Sequence, residues 1–293
     1  MPSLREIRIK IKSVKQTQQV TKAMKMIAAS RLKRAQGQLL ASRPYAQKVE
    51  ELVSDLSRRL LKEGRLMPQL LKPRPDAKER LLVVFTADKG LCGSYNVVML
   101  RETLKYYERI RGEGGSVHCF VVGKKGRDFL VNHGFQIARE FVQFLRRPAF
   151  SQAEIIGKEI VDYYVSHPGI AGVDICYMDF RSVVRQIPAV YRLLPPGLGG
   201  QQEKAEAPFD YIYEPGREKI LEELIPRYVN TELYRLVFEA YTSEQASRLN
   251  VMENATKNAG DLISDLSLLA NQVRQASITR ELLEVVSGAE ALS

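Results

Sequence analysis

The chain has 293 residues, of which 45% are hydrophobic and 27% are charged. These proportions are typical of globular proteins, so they exclude disorder and a collagen-like fold, and the length suits about two domains. No apolar run reaches the ~18 residues of a transmembrane helix, and the N-terminus lacks the apolar stretch of a signal peptide. The three cysteines are widely spaced, which predicts a reducing compartment with neither disulfides nor a zinc site.

The formal net charge is +10, and the excess lies at the N-terminus. Residues 1–48 contain twelve Lys or Arg and a single acidic residue, whereas the last 44 residues contain three basic and six acidic residues. A basic segment of this density predicts an anionic partner, which is nucleic acid, anionic lipid or an acidic protein surface. The alternative is a solvated helix face that is merely rich in lysine.

The first 60 residues predict one long helix. Apolar residues recur every three or four positions from Leu4 to Leu60, which is the spacing of a coiled-coil seam. The seam is weakest at 18–25, where a second apolar stripe runs beside it, so the contacting face is expected to rotate there. Pro44 is expected to kink or loosen this helix.

The C-terminal segment predicts a second long helix with a seam from Leu249 to Val273. Asn230 or Thr231 is the predicted N-cap, because Pro226 breaks helices. Two helices of about 57 residues at opposite ends of the chain, each with one apolar seam, are expected to pair with each other. A compact domain between them makes the antiparallel arrangement the simplest.

The middle of the chain predicts a small Rossmann-like α/β domain, because buried strands and helices alternate along it. A capping signature at Ser151 opens one of the helices. The predicted strands are 81–86, 117–122 and 135–141, the helices are 94–111, 124–133 and 151–167, and 173–180 and 186–194 form a hairpin.

The chain lacks the motifs of catalysis. It has no P-loop and no nucleophile elbow, and the sequence GLCGSYN at 90–96 follows a strand without matching GxGxxG. The sequence GKKG at 123–126 fits a phosphate site or a plain turn equally well. The three histidines show no metal-ligand spacing. These observations predict a mechanical or scaffolding protein with no catalytic residues, no cofactor and no metal.

Three separated motifs resemble one family, the gamma subunit of the F-type ATP synthase, in its bacterial form. They are IKSVKQTQQVTKAMKMIAASRLKRAQ at 11–36, TADKGLCGSYN at 86–96 and ITRELLEVVSGAEA at 278–291. The resemblance implies a coiled-coil helix at 1–60, an inserted α/β domain at 77–208 and a coiled-coil helix at 209–293.

The resemblance also implies a central rotor shaft. One gamma subunit stands inside a ring of three alpha and three beta subunits, and its α/β domain binds epsilon and the membrane c-ring, while catalysis belongs to beta. The implied beta contacts are Lys22, Met24 and Lys25 on the first helix and Arg274, Gln275 and Thr279 on the second. For Lys25, a lysine that only extends from an imperfect coiled coil is the alternative. The implied tip, held in an apolar bearing, comprises Leu282, Leu283, Val285, Val286 and Leu292.

Two features of the sequence bear on the regulation of the protein and on its location in the cell. Residues 195–215 contain no cysteine, unlike the regulatory insertion of the plant chloroplast form, which predicts no thiol regulation. The chain begins where the family's own N-terminus begins, without a presequence. Both features predict a bacterial complex on the cytoplasmic face of the cell membrane.

Two other functions compete with this interpretation. A chromosome-type coiled coil with a hinge domain would explain the basic helix, but the acidic C-terminal helix would repel nucleic-acid phosphates. A Rossmann-like enzyme with helical extensions would require nucleotide binding by the middle domain.

Overall fold

Two long helices carry the ends of the chain. The computed structural model describes residues 3–63, 67–146, 148–196, 214 and 216–290, the side chains of residues 61, 218 and 288–290 excepted. Helix α1 spans Leu4–Lys62 and helix α5 spans Arg217–Glu290. The two predicted terminal helices are therefore confirmed, whereas the domain boundaries at 60, 77 and 208 stay predictions.

The predicted N-cap of the second helix is wrong. Helix α5 begins at Arg217 and continues through Pro226. A proline costs a helix one hydrogen bond and a steric clash. Here Leu221, Ile225 and Val229, spaced by four, are all buried in the core and stabilise the helix on both sides of the proline. Helix α1 likewise includes Pro44, and a kink there stays a prediction.

A five-stranded sheet with helices on both faces occupies the middle of the chain, which confirms the Rossmann-like domain. The strand order is β3-β2-β1-β4-β5, and only β5 runs antiparallel to its neighbour. In chain order the elements are β1 Glu79–Phe85, α2 Tyr95–Gly112, β2 Val117–Val122, α3 Lys124–Asn132, β3 Arg139–Phe141, a 3-10 turn Phe144–Arg146, α4 Phe150–Ser166, β4 Ile170–Phe180 and β5 Gln186–Leu194.

Two local predictions in this domain need correction. The strand expected over 135–141 is only three residues long. Helix α4 is capped by Gln152, whose side-chain oxygen accepts a 2.6 Å hydrogen bond from the N–H of Ala149, rather than by Ser151. This bond satisfies the N–H of the N-cap residue, which is the half of a capping box that the third residue of the helix supplies.

The sheet separates two apolar cores. On one face, α4 and parts of α1 and α5 pack on the strands, with Leu56, Ile156 and Leu233 fully buried. On the other face, α2 and α3 pack on the strands, with Met99 and Leu130 fully buried. The chain divides into two compact units, Ser30–Ser247, which contains the sheet, and Met1–Ala29 with Arg248–Ser293.

The predicted seams are confirmed. Every described seam position, from Leu4 to Leu60 on α1 and from Leu249 to Val273 on α5, is buried or half-buried. The expected rotation of the contacting face is wrong, because Gln18 and Thr21 stay on the seam and hydrogen-bond α5. Ile27, on the second stripe, is 52% exposed.

Candidate functional site

A polar layer joins α1 and α5 in the unit formed by the two chain ends. The amide of Gln18 donates to the carbonyl of Thr256 at 3.3 Å, and the hydroxyls of Thr21 and Thr256 are 2.9 Å apart. One turn further, the ammonium of Lys25 pairs with the carboxylate of Glu253 at 2.6 Å. These contacts show that the two helices run antiparallel, with residues whose numbers add up to about 276 facing each other.

The predicted beta contacts on α1 lie beside this layer. Lys22 is exposed and Met24 is half-buried. Lys25 already has a partner, Glu253, within the coiled coil. This ion pair supports the alternative interpretation, in which Lys25 stabilises the contact between the two helices. Of the three residues, Lys22 is the exposed one and points away from α5.

The predicted beta contacts on α5 form a separate group. Arg274, Gln275 and Thr279 are all exposed, and the Thr279 hydroxyl donates to the Gln275 carbonyl at 3.0 Å. The antiparallel register places Arg274 opposite the beginning of α1. Along the helix axes, this group and Lys22 are therefore ~30 Å apart, at 1.5 Å per residue. The structure does not bring the two groups together.

Beyond Val273, no other helix in the described part of this compact unit lies beside α5, because α1 begins at Leu4. All described side chains from 274 to 287 are exposed. The exposed fractions of the apolar ones are large: Ile278 50%, Leu282 61%, Leu283 62%, Val285 70% and Val286 54%. Leu292, the last predicted tip residue, lies outside the described residues. Clusters of exposed apolar side chains mark surfaces that other molecules cover.

The crevice where an α/β sheet of this kind binds nucleotides is filled by the protein's own helix. Such crevices lie at the carboxyl ends of neighbouring strands at the point where the strand order reverses, here β1 and β4. Residues 240–246 of α5 are buried there. The Ser243 hydroxyl donates to the carbonyl of Met178 at the end of β4, and the Ser247 hydroxyl donates to the carbonyl of Cys92 after β1.

The GKKG segment is a structural turn. Its N–H groups are used within the fold: that of Gly123 donates to Phe141, that of Lys124 to the Asp88 carboxylate, that of Lys125 to Ala87 and that of Gly126 to the Thr86 hydroxyl. Gly123 has φ +105°, and a Cβ at this position would lie 2.1 Å from the Thr86 carbonyl oxygen. Because these donors are occupied, the plain-turn interpretation is the correct one.

The cysteines and histidines have structural surroundings. All three cysteines are buried as free thiols, and burial raises the pKa of both Cys119 and Cys176 to about 12, so these thiols stay protonated and unreactive. His118 lies between the Tyr163 hydroxyl at 2.8 Å and the Glu79 carboxylate at 3.1 Å. Among the described residues, no group of three or more His, Cys, Asp or Glu could hold a metal ion.

Two features were not predicted from the sequence. A groove of about 680 Å³ has an apolar floor that includes Phe238 and Tyr241 and a rim that includes three arginines, Arg31, Arg34 and Arg146. The density of basic residues on α1 was the sequence signal for the rim of this groove. Its aromatic floor belongs to α5, and only folding brings α5 next to α1.

The second feature is a buried charge network on α5. Arg235 pairs with Glu232 at 2.7 Å and with Glu239 at 2.8 Å. Burial, followed by the nearby Asp179, raises the pKa of the Glu239 carboxyl despite the opposing effect of Arg235. Its spacing of three and four residues was visible in the sequence as a helical charge pattern.

Comparisons with known proteins agree on one family. The family model described as ATP synthase matches residues 3–292. The chain is 39% identical over 299 residues to an ATP synthase gamma chain of Rhizobium leguminosarum bv. trifolii and 40% identical over 292 residues to one of Moorella thermoacetica. Both alignments cover 100% of this chain and 100% of the relative.

Solved structures show the same fold. A chain of the central stalk and c-ring structure of the Tetrahymena thermophila mitochondrial ATP synthase aligns with a TM-score of 0.60 at 27% identity, covering 80% of this chain and 99% of that one. A chain of the Euglena gracilis mitochondrial ATP synthase aligns with a TM-score of 0.69 at 19% identity, covering 99% and 94%. The second likeness, at its low identity, bears on the fold alone.

Proposed function

The chain belongs to the family of ATP synthase gamma chains, and on that premise we propose how its surfaces serve the complex. It is the central-stalk rotor subunit of an F-type ATP synthase. It couples ion flow through the membrane sector to conformational cycling of the catalytic beta subunits, and it is itself non-catalytic. Both rival functions, the chromosome-type coiled coil and the Rossmann-like enzyme, are therefore set aside.

One observation carries the proposal, namely the single-helix end of α5. A lone helix of ~15 residues is marginally stable in water, and this one exposes five large apolar side chains between Ile278 and Val286. Such a segment needs an apolar sleeve. The ring of three alpha and three beta subunits supplies one, and Leu282, Leu283, Val285 and Val286, with Leu292 beyond the described part, are the residues that turn inside it.

Asymmetry supplies the mechanism. A ring with three equivalent beta subunits meets a different face of the coiled coil at each position, because α1 is basic and the end of α5 is acidic. Different contacts stabilise different beta conformations, and a turn of the shaft exchanges those conformations among the three subunits. ATP is synthesised when the membrane sector turns the shaft, and it is hydrolysed when the ring of alpha and beta subunits turns it.

We assign two groups of beta contacts. Lys22 offers positive charge and Met24 an apolar surface to acidic loops of beta, and Lys25 lies beside them in its pair with Glu253. Arg274 and Gln275 offer hydrogen-bond donors at the far end, and an arginine fork suits a carboxylate. Thr279 lies one turn further on the same face. The exposure of Lys22, Arg274, Gln275 and Thr279 in the free chain supports these roles.

The α/β domain is assigned to the membrane side of the complex. Epsilon and the c-ring are its proposed partners, with one copy of this chain in each complex. No helix in the described part of the chain combines the length and apolar character that a bilayer crossing needs. We propose a peripheral position on the cytoplasmic face of a bacterial cell membrane.

The test is reconstitution with alpha and beta subunits. We expect ATP hydrolysis at the assembled rate only when this chain is present, and the double variant Arg274→Ala with Gln275→Ala to lower it at least threefold at equal assembly. Arg101→Ala, which removes an exposed arginine of α2, is the matched control and should leave the rate unchanged. If the wild-type chain neither joins the ring nor changes turnover, the proposed function is wrong.

A further inference from the structure

Helix α5 is docked where this type of fold otherwise binds a ligand. Helix α2 follows β1 on one face of the sheet and α4 precedes β4 on the other, so β1 and β4 border a crevice at their carboxyl ends. Of the eight α5 residues from 240 to 247, seven are buried and Ser247 is half-buried. The crevice is thus a socket for a helix.

Hydrogen bonds tie this helix segment to the walls of the socket. The Tyr95 hydroxyl donates to the carbonyl of Ala240 at 3.2 Å. The Ser243 hydroxyl donates to the carbonyl of Met178 at 3.0 Å. The Ser247 hydroxyl donates to the carbonyl of Cys92 at 2.7 Å. The bonds reach the strand end on one side and the loop after β1 on the other.

These bonds add a directional constraint to the apolar packing of α5. Interdigitated side chains already oppose turning of the helix, but hydrophobic attraction is itself non-directional and tolerates small angular shifts. A hydrogen bond weakens steeply when its angle departs from linearity. Three bonds on successive turns, to two different walls, therefore hold one rotational setting of α5 relative to the sheet.

We propose that Tyr95, Ser243 and Ser247 are positioning residues that lock α5 against turning in the α/β domain, so that torque passes between this domain and the helix without slip. The inference rests on the rotor function proposed above. It assigns the ligand crevice of the fold a mechanical role, with the carbonyl groups of Met178 and Cys92 as its fixed points.

The same helix provides a matched control. Ser264 and Ser267 also donate hydrogen bonds, but to the carbonyls of Gly260 and Ile263 in their own helix. Replacing them with alanine removes two hydroxyls from α5 without touching the socket. Any effect of losing serines from the helix in general would appear in this control as well.

The experiment measures coupling in the complete ATP synthase reconstituted in vesicles. For Ser243→Ala with Ser247→Ala, we expect ATP hydrolysis within twofold of wild type and at least a twofold fall in ions pumped per ATP. Ser264→Ala with Ser267→Ala should pump at the wild-type ratio. A wild-type ratio in the socket variant, at equal assembly, would overturn the proposal, since a purely structural role changes the amount of complex rather than its coupling.

Hydrogen exchange gives a second readout on the assembled complex. We expect backbone amides of 240–247 to exchange at least tenfold faster in the socket variant, and those of the control to keep wild-type rates. If the double variant does not assemble, Ser247→Ala alone, at the half-buried position, is measured in the same way, and unchanged exchange and coupling there would reject the proposal. Failure of the wild-type chain to support hydrolysis would instead count against the rotor function.

Discussion

Asp174 is a buried charged residue that links α2 to the sheet. Its side chain is 3% exposed. Its carboxylate accepts hydrogen bonds from the Tyr106 hydroxyl and from the Arg192 guanidinium. The carboxylate of Asp174 on β4 therefore joins this strand to α2 and to β5. Burial and the neighbouring Asp174 carboxylate raise the pKa of the Tyr106 hydroxyl, which keeps it a donor.

Asp174→Ala should destabilise the chain by ~3 kcal/mol, because it strands a guanidinium and a buried hydroxyl that the carboxylate now satisfies. Urea unfolding at pH 7 measures the change in the free energy of unfolding. The control is Glu159→Ala, which breaks an ion pair with Arg139 between half-exposed side chains and should cost less than ~1 kcal/mol. Equal losses in the two variants would contradict the prediction.

At the scale of the elements, the polar layer of the coiled coil is the feature that distinguishes one register from its neighbours. Apolar seams slide past one another at little cost, and a buried polar contact in a seam fixes register at some cost in stability. Gln18, Thr21 and Thr256 provide such a contact. At Gly260, an added Cβ would lie 3.1 Å from the Gln18 amide nitrogen, so the glycine leaves room for this side chain.

Thr21→Val with Thr256→Val should leave the free energy of unfolding within ~1 kcal/mol of wild type while loosening the register, because methyl groups replace the paired hydroxyls. Spin labels on cysteines at the exposed positions Thr17 and Lys257 would report the distance between the helices. We expect one narrow distance distribution for the otherwise wild-type chain and a broad or split one for the variant. A narrow distribution in both would mean that the apolar seam alone sets the register.

At the scale of the whole molecule, we propose that the exposed surface of α5 from 274 to 287 serves the complex rather than folding. The side chains from 274 to 287 are exposed, so they add little to the stability of the isolated chain. Their apolar area becomes useful only when a partner covers it.

A chain ending after Val273 should therefore melt within ~2 °C of the full chain, because the described side chains that it loses, 274 to 287, are all exposed. In the complex, the same truncation should weaken retention in the ring of alpha and beta subunits. Thermal unfolding of the purified chains and size-exclusion of the assembled complexes measure the two effects. A large fall in melting temperature would show that the tip contributes to the fold itself.

The sequence by itself determined the elements and the family. The seams of α1 and α5 were readable because coiled-coil spacing is a local property, and the strands were readable as short buried runs. The start of α5 could not be predicted from the sequence. Pro226 is a local signal that a helix ends, but it is overridden by the packing of Leu221, Ile225 and Val229 against distant parts of the chain.

The tertiary structure alone decided which polar groups and surfaces are occupied by contacts within the chain. It showed Lys25 paired with Glu253, the GKKG donors used within the fold, and the crevice between β1 and β4 filled by α5. Each depends on residues far apart in the chain, so no window of sequence contains it. Periodicity indicates which face of a helix is apolar, but only the folded chain shows what that face meets.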